Sequence, residues 1–212
     1  MAKILLVALL LLAACSSTRQ AGPLLKDDNL TFTDKADHIE LKLPRVKGWN
    51  AGIPSKDELA RNIVYGAVHV GKILNLVLSV EALNSDLEDY YILIKKENTF
   101  EKRPGYKLLA LDSFTLNGRK AMRFVYKADV LSLDSSILYD DTSSSDSTGD
   151  SLAAADSTDT LSPIIHTPYV YTNIFAKHNE FDFWLEVSTL EEGYERRKPF
   201  IEDVVKGLKV LE

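Results

Sequence analysis

The chain has 212 residues, 45% of them apolar, one cysteine and a formal net charge of −6. Its length suits one globular domain with an ordinary core, and a single cysteine excludes a disulfide framework or a cysteine metal cluster. The charge is local: Leu131 to Pro163 holds seven aspartates and no lysine or arginine, and removing those seven from the 31 acids and Lys3 from the 25 bases leaves 24 of each, so the rest lacks the basic surplus of a nucleic-acid binder.

In chain order, Met1-Ala2-Lys3 precedes an unbroken apolar run from Ile4 to Ala14, followed by Cys15-Ser16-Ser17. One positive charge, a short apolar core and small residues make the layout of an export signal over residues 1–14. The run falls short of the ~20 residues that a spanning helix needs. Leu12-Ala13-Ala14-Cys15 resembles the lipobox of bacterial lipoproteins. That resemblance implies that the Cys15 thiol takes a diacylglycerol and that the chain is cut just before it. The alternative is an ordinary signal peptide with an incidental cysteine, but Cys15 stands where the lipobox wants it. Ser16 occupies the position at which an aspartate, by resemblance to enterobacterial sorting, would favour the inner membrane. The expectation is a chain lipid-anchored to the cell envelope at the periplasmic face of the outer membrane. Residues 15–29, polar and with Gly22-Pro23 in their middle, are expected to form the lipidated cysteine and a tether.

Residues 30–212 read as one domain. Ile39, Leu41 and Leu43 alternate with polar residues before Pro44, and Trp49 follows a glycine turn. Ile63 to Val70 and Ile73 to Ala82 flank Gly71-Lys72 as a hairpin. Ser85-Asp86-Leu87-Glu88 has the spacing of a capping box, in which Ser85 caps and Glu88 reaches back. Leu87, Tyr91 and Ile94 continue a helix that Pro104-Gly105 ends. Leu108 to Leu116 and Arg119 to Val130 flank Asn117-Gly118, a strong short hairpin signal. Asp140 to Thr160 is almost wholly Ser, Thr, Asp, Ala and Gly. This insertion, bounded at about residues 131–163, is expected to be disordered, since it cannot bury enough surface to offset its entropy. A weak calcium loop is the alternative, but the regular aspartate ladder and closing glutamate are missing. Tyr169 to Lys177 and Phe181 to Ser188 form a last hairpin over His178-Asn179-Glu180. Pro199 suits the first turn of a closing helix with Ile201, Val204, Val205 and Leu208 on its apolar face.

The sum is an α+β fold: an antiparallel sheet of about six to eight strands packed with two main helices. Phe181, Phe183 and Phe124 are expected together on the sheet face under those helices. The order of elements resembles the PsbP-like fold of extrinsic photosystem proteins and DcrB-type bacterial lipoproteins. The residues carrying it are Leu43-Pro44 and Trp49, the strand ending Leu78-Ser79-Val80-Glu81, Leu116-Asn117-Gly118-Arg119-Lys120-Ala121, and Phe200-Ile201-Glu202-Asp203-Val204-Val205. It spans Phe32 to Leu211 outside the insertion. It implies a non-enzymatic domain that docks on membrane-associated partners, and it carries no position-specific functional residues.

No catalytic, metal or cofactor motif emerges. His38, His69, His166 and His178 are scattered, and His69 reads as a satisfied core or sheet-face residue and His178 as a turn residue. Ser79 has no base near it in sequence, and the ten glycines stand singly, without a phosphate loop. Glu191, Glu192 and Glu195 ahead of Arg196, Arg197 and Lys198 read as a solvated approach to the helix with local ion pairs. Three functions compete: an interaction or assembly module meeting an envelope protein, a carrier whose sheet cradles an apolar ligand such as a lipid beneath a helix, and a hydrolase with Trp49 and Trp184 along a glycan groove.

Overall fold

The computed structural model describes residues 24–55, 62–83, 85–97, 99–133 and 164–211. The signal segment, Cys15, most of the tether and residues 134–163 of the insertion lie outside the described residues, while Leu131 to Leu133, expected within the insertion, are strand residues paired with His166 to Ile164. Two antiparallel sheets form. The smaller contains β1 (Leu24–Lys26), β2 (Thr31–Asp34), β3 (Ile39–Lys42) and β11 (Leu208–Val210), in that order. The larger runs β4 (Trp49–Gly52), β5 (Ile63–His69), β6 (Leu74–Glu81), β10 (Phe181–Leu190), β9 (Ile164–His178), β8 (Arg119–Leu133) and β7 (Lys107–Leu116). Its seven strands fall within the expected range; the second, smaller sheet was not foreseen. The helices are α1 (Leu87–Glu97) and α2 (Tyr194–Lys206).

Turn chemistry sets the hairpins. Asn117 and Gly118 both have positive φ, at 51° and 80°, the conformation that matches the twist of a two-residue hairpin. Asn179, at φ 51°, turns β9 into β10 in the same region, which asparagine tolerates better than most residues.

Alternation along the strands then assigns two cores. Phe183, Leu185 and Val187 of β10 join Ile174, Leu76, Leu78 and Tyr65 on one face, against the small sheet and Ile201, Val204 and Val205 of α2. Met122, Phe124 and Tyr126 of β8 join Phe175 and Tyr171 on the other, under Leu87, Tyr90, Tyr91 and Ile94 of α1. The helices therefore lie on opposite faces, not together. Phe183 pairs across β9 with Ala176, which pairs with Ala121. Phe124 stands three residues from Ala121 and so points the other way. Phe181 packs with Phe183's face.

Three further boundaries differ from expectation. The tether expected over 15–29 is shortened, because Leu24 and Leu25 pair with Thr33 and Phe32. The closing helix begins at Tyr194, so Pro199 lies inside it, and Leu208 belongs to β11, paired with Leu41. The capping box does not form. Asp182, buried in β10, accepts hydrogen bonds from the Ser85 amide at 3.1 Å and the Ser85 hydroxyl at 2.6 Å, while Glu88 is drawn to Lys120. A buried carboxylate takes charge-assisted bonds in preference to a backbone amide. Ser85→Ala is accordingly expected to cost about 1–2 kcal/mol, read as a lower urea midpoint; an unchanged midpoint would put Ser85 outside this network.

Candidate functional site

Two places on the seven-stranded sheet collect polar chemistry. The first lies on the α1 face. The Arg103 guanidinium sits over the rings of Phe100, Tyr171 and Tyr126, with centroid distances of 5.0, 5.2 and 5.8 Å. It also donates to the Tyr126 hydroxyl at 2.9 Å. Tyr126 and Tyr171 stack at 4.8 Å with 9° between planes, and burial pushes both phenols upward. Trp184 donates its indole N–H to Asn173 Oδ1 at 2.8 Å, and Asn173 donates to the Phe124 carbonyl at 3.3 Å. Glu186, paired in register with Asn173, completes the group. Desolvation pushes its carboxyl up to about 7, with Arg103 pulling the other way. Such a cluster of aromatic faces suits a cation, and the protein's own Arg103 already fills it.

The second place is a groove of about 420 Å³ on the opposite face, between α2 and the β7–β9 end of the sheet. Here the small sheet no longer covers the large one. Its floor is Leu109, Ala110, Val125, Val170 and Ile201, with Thr172 among them. Its wall carries Arg123, Glu191, Tyr194, Glu195, Lys198 and Glu202. Arg123 ties three elements together, donating to Asp112 of β7 at 2.9 and 3.1 Å and to Glu202 of α2 at 3.0 Å. Lys127 meets Glu191 at 2.7 Å. The Thr172 hydroxyl is buried, with no hydrogen-bond partner among the described residues. This volume and an apolar floor with a few convergent polar groups fit the usual binding cleft.

The residues singled out in the sequence do not converge. His38 and His178 bring their rings to 5.1 Å, while His166 pairs with Asp129 at 3.2 Å. His69 is buried between Trp49 and Phe200, at 5.0 and 5.5 Å, but neither ring nitrogen finds a hydrogen-bond partner among the described residues, so within them it is a core histidine without being a satisfied one. His178 is buried at the end of β9, not a simple turn residue. No group of three His, Cys, Asp or Glu side chains able to hold a metal forms among the described residues. Trp49 and Trp184 are half-buried; the Trp49 indole donates to the Pro44 carbonyl at 3.0 Å and lines a shallow groove of about 400 Å³ with Asp27, Arg45 and Lys47, which Trp184 does not join. The space beneath α1, where a cradled acyl chain was one expectation, is filled by Phe100, Phe124, Tyr126 and Phe175. Glu191 reaches across to β8 instead of pairing locally. Sequence reasoning missed the groove and the Arg103–Glu186 group, because both join strands and helices far apart in the chain.

No family model matches the chain, and no curated protein matches its sequence. Solved structures do resemble it. The solution structure of cyanobacterial PsbP (CyanoP) from Synechocystis aligns over 92% of this chain and 96% of that one, at 12% identity and a TM-score of 0.54. LpqN of Mycobacterium tuberculosis, described as involved in cell envelope biogenesis, aligns over 82% and 83%, at 11% identity and a TM-score of 0.47. The Saccharomyces cerevisiae Ran-binding protein Mog1p aligns over 84% and 93%, at 8% identity and a TM-score of 0.45. The first likeness establishes a PsbP-like α+β fold.

Proposed function

We propose that the chain is a lipid-anchored envelope protein, held through Cys15, that acts without catalysis by docking a partner protein in the groove beside α2. The observation that carries the docking half is the groove itself: an apolar floor opening beside paired charges. The anchor half rests on Leu12-Ala13-Ala14-Cys15 at the end of an export-type segment. Eight residues separate Cys15 from β1, and since a chain spans at most about 3.3–3.6 Å per residue, they keep the domain within about 30 Å of the lipid attachment. Two or three acyl chains, at about 0.8 kcal/mol per buried methylene, make such attachment stable.

A lipid carrier is the second reading, and the apolar floor favours it.

Cys15→Ser is expected to move the protein from the membrane fraction to the soluble fraction while the domain stays folded. Fractionation of host cells with immunodetection checks it. A serine variant that is still cut before residue 15 and still stays in the membrane fraction after carbonate washing would sink the anchor.

A further inference from the structure

We infer that the ribbon formed by residues 130–133 of β8 and 164–167 of β9 is a docking arm, which enters an apolar slot rimmed by lysine or arginine on the partner protein. This rests on the docking reading above and gives the same partner a second contact beyond the groove.

The ribbon extends past its neighbours. β7 pairs with β8 no further than Lys127, and β10 pairs with β9 no further than Tyr169. The Asp129 amide is still taken by the Pro104 carbonyl, and the Pro168 carbonyl by the Glu191 amide. Beyond them four pairs continue, from Val130 with Thr167 to Leu133 with Ile164, so the ribbon stands about 13 Å clear of the sheet. A two-stranded ribbon is marginal by itself in water, and among the described residues no third strand joins this one.

Its side chains are apolar on both faces. Leu131 and Ile164 continue the face of Val125 and Val170, while Val130 and Ile165 continue the face of Tyr126 and Tyr171. These four residues are 40–56% exposed. The one ionisable side chain in the ribbon, His166, is paired with Asp129 at 3.2 Å. Exposed apolar residues gathered in this way mark an interaction site. A flat surface would cover one side of such an arm; a slot covers both.

Charge selects the occupant. The chain between Leu133 and Ile164 carries seven aspartates and no lysine or arginine, while outside it and Lys3 the acids and bases number 24 each. Whatever receives the ribbon meets that charge, because it is joined to the ends of both strands. Anionic lipid headgroups repel it, and drawing carboxylates into a bilayer behind the ribbon is costly. A second copy of the chain would bring another seven aspartates against the first set. A protein surface rich in lysine and arginine is instead attracted, which speeds encounter and fixes orientation.

The test uses the whole mature chain, residues 15–212, carrying Cys15→Ser and labelled for amide NMR. The probes are three short blocked peptides: an amphipathic one of leucine and lysine, one with glutamate for lysine, and one with serine for leucine. The leucine–lysine peptide is expected to shift the amides of Val130 to Ser132 and Ile164 to Thr167. It should bind about tenfold tighter than the glutamate peptide, as several exposed charge contacts together allow, and tighter than the serine peptide. High salt should erase most of the difference between lysine and glutamate. Joint substitution of Val130→Thr, Leu131→Thr, Ile164→Thr and Ile165→Thr should abolish the shifts. Threonine suits a strand, and unchanged amides elsewhere would show that the domain stays folded. Equal binding of the lysine and glutamate peptides, no shifts at millimolar peptide, or shifts that survive the joint substitution would overturn the inference. So would another occupant: the Val130, Leu131 and His166 amides shifting on vesicles of phosphatidylcholine and phosphatidylglycerol, on concentrating the chain alone, or on replacing residues 134–163 by a glycine–serine linker. In host membranes, a photocrosslinking amino acid placed at Leu131 or at Ala110 separates this arm from the groove. Both are expected to reach one protein, from Leu131 at a peptide that mixes apolar residues with lysine or arginine. Crosslinks from Ala110 alone would sink the arm and leave the docking reading standing, and crosslinks from neither would sink the docking reading itself.

Discussion

Gly207→Ala is expected to destabilise the domain by about 3 kcal/mol, the upper range for forcing atoms into a filled site. Gly207 follows α2 and precedes β11, and its φ of −73° is open to any residue. What requires glycine is proximity: a Cβ there would stand 1.9 Å from the Lys42 carbonyl oxygen. Backbone, unlike a side-chain tip, has no rotamer by which to withdraw. Lys42 also donates its amide to the Gly207 carbonyl at 2.9 Å, and the pairing of β3 with β11 begins beside it at Leu41 and Leu208. An alanine must therefore push the end of α2 away from the small sheet. Thermal unfolding should show a drop of about 10 °C, taking about 2–4 °C per kcal/mol for a domain of this size. Gly52→Ala serves as control, because a Cβ there meets nothing within 4 Å, and it should stay within about 0.5 kcal/mol of wild type. Equal stabilities for the two variants would mean that Gly207 does not approach β3 as described.

Glu186→Gln is expected to stabilise the domain in mild alkali and to change little in acid. Burial holds the Glu186 carboxyl up at about 7, above the ordinary value of 4.5. The folded state thus keeps a proton that the unfolded chain releases first. Between pH 4.5 and 7 the folded state binds more protons, so stability falls as pH rises through that window, and the penalty is complete above it. At about 1.4 kcal/mol per unit, the full shift corresponds to about 3 kcal/mol. The side chain is part-exposed, so about 1–2 kcal/mol is the expected gain at pH 8, with nearly none at pH 4. Glutamine keeps the shape and removes the charge. Urea unfolding at both pH values checks it; an equal effect of the substitution at both would remove titration of Glu186 as the cause.

The hairpins were legible because their signals are local. Asn117-Gly118 names its own turn, and alternation along β6, β8 and β10 marks which residues share a face. The faces themselves could not be compared across strands. Phe124 and Phe183 each alternate correctly, and only the register through Ala121 and Ala176 shows that they point apart. Leu208 fell into the helix because it continues the spacing of Val204 and Val205, while the close approach that ends α2 comes from Lys42, some 160 residues away in sequence. The Ser85 signal marked the helix start to within two residues but misnamed the partner, since Asp182 lies 97 positions further on. The candidate site was the least legible part. The groove brings Leu109 and Arg123 to Thr172 and Ile201, and no spacing rule spans such separations.

The anchor is different in kind, since four consecutive residues carry it. Mass spectrometry of the amino-terminal peptide, from protein purified out of host membranes, tests it most directly. The account predicts a chain that begins at Cys15 with a diacylglycerol on its sulfur. A chain that begins at Met1 or at another residue, with Cys15 removed or present as a free thiol, would contradict it.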